Sequence, residues 1–208
     1  MHRHTAGLGV ERFEVRIRNA ETGRDLHRTW DQAELEQSVG WLKRMNARGH
    51  DVSVRPAGEH SLVVVDGLTG PAVARMGREG WTPAATIETS PGRYQAWVKL
   101  SEAPVSAAVR EVTAHGLAQH YGGDPPSAES EPAGWLAGFT NQEADHTREG
   151  YQPYVLAHDC PGTTAPGAEA YLERIEQRLL EVKAEQERQR EAERLREREE
   201  SAELELEP

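Results

Sequence analysis

The chain has 208 residues, 37% of them hydrophobic, with 35 acidic against 24 basic side chains and a formal charge of −11. That length suffices for one domain of ordinary size without disulfides or structural zinc, because Cys160 is alone and the nine histidines form no Cys/His ligand cluster. No apolar run approaches the roughly twenty residues that span a bilayer, and the first residues lack the apolar stretch of a secretory leader, so the expectation is a cytoplasmic protein without membrane contact. From Glu169 onward 14 acidic and 8 basic residues hold about half of the excess charge, leaving −5 for residues 1–168. A mildly acidic body excludes a global basic field, so any nucleic acid must be held by a local groove and by stacking.

In chain order, His2 and His4 stand at a loose end and are not read as a metal site. Residues 11–18 alternate, with Phe13, Val15 and Ile17 on one face and Arg12, Glu14, Arg16 and Arg18 on the other, which predicts a half-buried strand with a solvated arginine face. A turn over 21–24 follows. Asp31 with Glu34 signals a capped helix start, Trp41, Leu42 and Met45 lie at helical spacing before Gly49, and Gly40 is expected to break this segment in two. Residues 51–55 and 62–65 read as neighbouring strands, the continuous Leu62-Val-Val-Val65 run implying a central strand covered on both faces. A short helix over 71–78, a strand over 84–89, a turn at Ser90-Pro-Gly-Arg93 and a returning strand over 94–100 come next. Residues 104–121 are helical and stop at Gly122-Gly123; short strands are expected over 135–140 and 154–157. The fold class is α+β, a mixed, mainly antiparallel sheet with flanking helices, in a domain over 9–159. A Pro/Gly linker over 160–168 leads to a long charged helical tail over 169–208. In the tail Leu172, Ile175, Leu179 and Val182 form one stripe, and acid–base pairs three residues apart support the rest.

Two places carry chemistry. Asp66 ends the buried run, where a carboxylate serves either as a divalent-metal ligand or as a turn cap; Asp124, ahead of Pro125-Pro126, is equally open between ligand and Asx-turn. The hairpin around Gly92 offers Arg93, Gln95, Trp97 and Lys99 on one face of a strand and Tyr94 on the other. The first face is the candidate substrate surface, supplying cations for phosphates and an indole for stacking; its plainer reading is a solvent-facing strand. No Walker loop, nucleophile elbow or His-Glu-x-x-His motif is present.

Six blocks occur in order: Trp41-Leu-Lys-Arg-Met-Asn-Ala-Arg-Gly49, Val54-Arg-Pro56, Leu62-Val-Val-Val-Asp66, Glu88-Thr-Ser-Pro-Gly-Arg-Tyr-Gln-Ala-Trp97, Gly123-Asp-Pro-Pro-Ser-Ala128 and Ala137-Gly-Phe-Thr-Asn141. In these the chain resembles, over residues 10–156, the RepB-type plasmid DNA primases, which also form the carboxyl-terminal part of MobA relaxases. The resemblance implies an archaeo-eukaryotic-primase-like core that makes primers on single-stranded DNA from nucleoside triphosphates with Mg2+ or Mn2+, in company with a plasmid replication helicase or initiator. It implies catalytic and metal-binding roles for Asp66 and Asp124, which match the first and third family aspartates, and nucleotide or DNA contacts for Arg55, Arg93, Tyr94, Gln95, Trp97 and Lys99. The chain departs from the pattern at Gly67, where the second aspartate belongs. It departs also at Gln95, often histidine in relatives, at Trp135 in place of an arginine, and at Gln142-Glu143 in place of a basic pair. Gly67 leaves a second reading, a catalytically impaired primase-derived single-strand-binding protein, with Glu88 and Glu129 as carboxylates that could compensate.

Overall fold

The structure is a computed structural model and describes residues 1–125, 133–146 and 150–204. Its elements are α1 (His2–Leu8), β1 (Arg12–Asn19), β2 (Asp25–Asp31), α2 (Gln32–Gln37), α3 (Val39–Asn46), β3 (His50–Pro56), β4 (Leu62–Leu68), α4 (Gly70–Arg78), β5 (Ala85–Ser90), β6 (Arg93–Lys99), α5 (Ala107–Tyr121), β7 (Gly134–Trp135), β8 (Leu156–Asp159) and α6 (Ala168–Leu204). The chain divides into two compact units, Met1–Glu169 and Ala170–Pro208.

In the first unit the strands form two sheets, ordered β2-β1-β3-β7 and β4-β6-β5-β8. Every pairing of strands is antiparallel. The α+β class holds, with the strands shared between two sheets where one was expected. Their facing surfaces merge in one buried cluster: Phe13, Val15, Ile17, Val52 and Val54 from the first sheet meet Val64, Ile87 and Trp97 from the second. Each such side chain, taken fully out of water, contributes about 1.5–3 kcal/mol. Behind the second sheet α5 lies on β4 and α4 on β6, which buries Val63, Val65, Ala96 and Val98 on the far face. β4 is therefore covered on both sides, as its apolar run requires, yet it stands at the edge of its ladder and not at the centre.

Local chemistry explains most boundaries. Asp31 caps α2 through the Glu34 N–H at 2.8 Å while the Glu34 carboxylate takes the Asp31 N–H at 2.9 Å, the reciprocal pair its spacing promised. The break before α3 falls at Ser38, not Gly40; Ser38 closes α2 and opens α3, leaving Gly40 exposed within α3. α5 ends at Gly122 in the left-handed conformation, φ 71°.

Two elements go beyond the sequence expectation. β2 follows the turn over 21–24 in a span where no strand was expected: it is an edge strand, mostly exposed, held by its register with β1. α1 forms where a loose end was expected, because His4, Thr5, Gly7 and Leu8 are buried. The segment over 135–140 is a strand only at β7, after which Thr140 makes a single bridge to Tyr154. The Pro/Gly stretch after Cys160 is laid on the second sheet: Gly162, Ala165 and Gly167 donate their N–H groups to the carbonyls of Ala84, Lys99 and Gly80 at 2.9–3.0 Å. In the second unit α6 carries the expected charge pairing, with Arg188 on Glu185 at 2.6 Å and Arg178 near Glu181 at 3.7 Å. Among the described residues no helix is long and apolar enough to cross a membrane.

Candidate functional site

The site begins with an irregularity in β4. Val65 stands opposite Ala96 and Leu68 opposite Tyr94, so two residues, Asp66 and Gly67, face the single Gln95. This is a bulge with its glycine at φ 72°. The bulge frees the Asp66 carbonyl for a partner outside the ladder, and the Asp124 N–H supplies it at 2.9 Å. Two acidic residues remote in sequence thus meet at one backbone bridge. Gly67 donates its N–H to Asp66 Oδ1 at 2.7 Å, and Arg93 Nη2 donates to Asp124 Oδ2 at 2.9 Å. Both partners of that ion pair remain about half exposed or more, 48% and 65% of the side chain, so the guanidinium and the carboxylate are open to an incoming ligand.

The electrostatics favour a cation. Burial pushes the Asp66 carboxyl above the ordinary aspartate range, the Gly67 N–H opposes this, Asp124 and Glu143 push it further up, and Arg93 pulls it down. Glu143, seen in the sequence only as the replacement of a basic residue, is a third carboxylate acting on Asp66. No linear motif announces it. Its loop is fastened by the Asn141 block: Glu143 N donates to Asn141 Oδ1 at 2.9 Å, Gln142 N to Asp51 Oδ1 at 2.7 Å, and the buried Asn46 amide bonds both the N–H and the carbonyl of Thr140. Glu143 itself lies 3.1 Å from His146. Burial, with Glu143 as a secondary cause, raises Asp51 to about 6.

The other sequence candidates disperse. Trp97 is 1% exposed and Gln95 0%; the face expected to meet substrate lies beneath the first sheet. Gln95 spends its amide on the backbone of Trp135, accepting from its N–H at 2.8 Å and donating to its carbonyl at 3.0 Å, so it splices β6 to β7 and is closed to a nucleotide. Trp97 packs with His4, ring centroids 6.1 Å apart, and cannot stack on a base. Tyr94 points to the opposite face of β6, edge-on to His158 at 5.5 Å. Beside it Glu88 accepts from the Gly92 N–H at 2.9 Å and pairs with His158 at 2.7 Å, which holds its carboxyl below the usual range. Glu88 is thereby engaged away from Asp66, and Glu129 lies outside the described residues. Lys99 pairs with Glu102 and faces Leu62 at the far end of β4, about 20 Å along the strand from Arg93. Arg55 sits on the other sheet, bonded to Glu14 at 2.9 Å through Nε. Of the eight candidates, Asp66, Asp124 and Arg93 come together.

Two acidic side chains offering hard oxygen atoms, Asp66 partly buried and Asp124 exposed, could hold a hard divalent cation, which takes oxygen ligands and can keep water or phosphate in its remaining positions. Among the described residues no group of three or more His, Cys, Asp or Glu is placed to hold a metal ion.

Residues 23–189 match the family described as the RepB DNA-primase N-terminal domain. The chain belongs to that family. Over 189 residues, 89% of its length, it is 43% identical to Mobilization protein A of Escherichia coli. It is 26% identical over 161 residues to a DNA primase of Acidithiobacillus ferrooxidans. The chain spans only 26% and 46% of these relatives. Among solved structures it is similar to primase RepB′, with TM-score 0.85 and 42% identity over 93% of this chain and 66% of that one. The catalytic domain of RepB′ in complex with initiator DNA gives TM-score 0.81 and 40% identity over 88% and 95%. The primase-polymerase domain of cyanophage S-2L, 13% identical with TM-score 0.54 over 78% of this chain and 90% of that one, shares the fold.

Proposed function

We propose that the first unit is the nucleotidyltransferase domain of a plasmid or mobile-element DNA primase, making primers on single-stranded DNA from nucleoside triphosphates in the cytoplasm. The observation that carries this is the meeting of Asp66 and Asp124 at one backbone bridge, with Arg93 on the second carboxylate. Family membership and the likeness to a RepB′ catalytic domain solved with initiator DNA support it. Mg2+ or Mn2+ held by Asp66 and Asp124 would neutralise triphosphate charge and favour in-line attack by a 3′-hydroxyl. Asp66, braced by the Gly67 N–H, fixes one side of that seat. Asp124 closes the other, and Arg93, already within bonding distance of it, is placed to turn to phosphate oxygens as they arrive. A replication helicase or initiator of the same plasmid is the proposed partner.

Primer synthesis from labelled nucleotides on single-stranded DNA, with Mg2+ or Mn2+, tests the reading. Asp66→Ala is expected to lose about a hundredfold or more in rate, the scale of losing one preorganised charge contact. Product at the wild-type rate from Asp66→Ala, or none from the wild type, overturns it.

A further inference from the structure

With Trp97 buried, an aromatic surface stays open on the other face of the second sheet, at the β8 edge. From Tyr154 to His158 the chain alternates: Val155 is buried and Ala157 packs on the core, while Tyr154 is 65%, Leu156 49% and the His158 side chain 46% exposed. Across the ladder Leu156 stands opposite Glu88 and Glu88 opposite Tyr94, so these side chains share one face. His158 is the extra residue between the pairs Ile87 with Ala157 and Thr86 with Asp159, and its ring meets Tyr94 edge-on, centroids 5.5 Å apart. The carboxylate in this row is already engaged, since Glu88 accepts from the Gly92 N–H at 2.9 Å and pairs with His158 at 2.7 Å. Arg3 donates to the His158 carbonyl at 3.4 Å, which sets a guanidinium beside β8, and Asp159 stands at the end of the strand away from Tyr154.

We propose that Tyr154, Leu156, His158 and Tyr94 form a ledge on which bases of the single-stranded template stack. Residues 1–168 carry a charge of −5, so a strand is held here by its bases and not by a basic field, and flat rings accept any base because every base has a π-face. Tyr154 and His158 lie about 13 Å apart along an extended strand, which gives room for two bases. The ledge also leads to the cation site. Tyr94 directly follows Arg93 in β6, and Arg93 holds Asp124 at 2.9 Å, so a strand leaving the ledge round the Gly92 turn arrives beside Asp124. The assignment rests on the primase reading and deepens it by naming the surface that takes the template.

The test is fluorescence anisotropy of a labelled single-stranded oligonucleotide titrated with the full chain, beside melting curves and primer synthesis. Tyr154→Ala and His158→Ala are each expected to weaken binding about fivefold or more, and Tyr154→Ala, a change at an exposed position, should melt with the wild type. Tyr154→Phe keeps the ring and should bind as the wild type does, whereas Tyr154→Leu, apolar without a ring, should bind as weakly as Tyr154→Ala. On an oligonucleotide of abasic sites Tyr154→Ala and the wild type should bind alike. Unchanged affinity in Tyr154→Ala overturns the inference, as does wild-type affinity in Tyr154→Leu, which would mark a surface for an apolar partner such as another protein. A wild type that binds no single strand overturns it too. Asp66→Ala should bind the oligonucleotide as the wild type does and make no primer. That result together with unchanged affinity in Tyr154→Ala removes the ledge and leaves the primase reading standing, while full primer synthesis by Asp66→Ala removes the reading.

Discussion

Trp97→Ala should cost stability and leave single-strand affinity intact. The ring is 1% exposed in the cluster shared by the two sheets, and a Cβ on Gly134 would come 2.5 Å from its Cζ2, so nothing on that side can collapse easily into the space it leaves. Truncating a tryptophan in such a place costs about 3–5 kcal/mol. For a folded unit of this size that lowers Tm by roughly 6–20 °C. The indole Nε1 has no hydrogen-bond partner, so Trp97→Phe removes a buried unpaired donor together with part of the ring and should cost only about 1–2 kcal/mol. Thermal and urea unfolding followed by circular dichroism give the stabilities. Titration with a labelled oligonucleotide, below both transitions, gives the affinity. A Trp97→Ala variant that melts with the wild type but loses about 1–3 kcal/mol of strand affinity would put the ring against a base and refute the burial argument.

His4 is buried without a partner on Nε2, and burial, aided by the amino-terminal charge, lowers its pKa to about 3. Below the ordinary value of 6.5 the unfolded chain takes up a proton that the folded chain refuses, so stability should fall as pH drops from about 6.5 towards 3, by up to about 4 kcal/mol. Asp51, raised to about 6, works in the opposite direction between about 6 and 4 and offsets part of the loss. Urea unfolding at pH 7, 5 and 4 should show a shallower fall for His4→Phe than for the wild type; parallel slopes would refute the assignment. Asp31→Ala removes the α2 capping box and should lower stability by about 1 kcal/mol with primer synthesis unchanged, and a loss below about 0.2 kcal/mol in the same unfolding assay would deny the cap its role.

Period and punctuation disclosed the elements whose stability is local: the alternation of β1, the capped start of α2, the double glycine after α5. They failed where tertiary contact supplies the reason to fold. Nothing in His-Arg-His-Thr-Ala-Gly marks a helix until it lies on the core, and β2 has no apolar rhythm because it is a mostly exposed edge strand in which Trp30 packs against the core. The period-two reading of β6 correctly grouped Gln95 with Trp97, but on the wrong side of the protein surface. Both faces of that strand are covered, and a polar residue inside it looks outward-facing until Trp135 is seen to occupy its amide. The nearness of Asp66 to Asp124 was implied by the family pattern alone, since a bulge and a loop must cooperate to bring them together. Glu143 acts on Asp66 only through a loop pinned by Asn46 and Asn141.

The strap formed by Gly162, Ala165 and Gly167 decides where the polypeptide can be trimmed. A cut after Asp159 leaves the carbonyls of Ala84, Lys99 and Gly80 without these donors and removes two fully sheltered alanines, Ala165 and Ala168. A minimal autonomous fragment therefore ends beyond Ala168, and one that stops where the glycine- and proline-rich composition begins is shorn of part of its own sheet's lining.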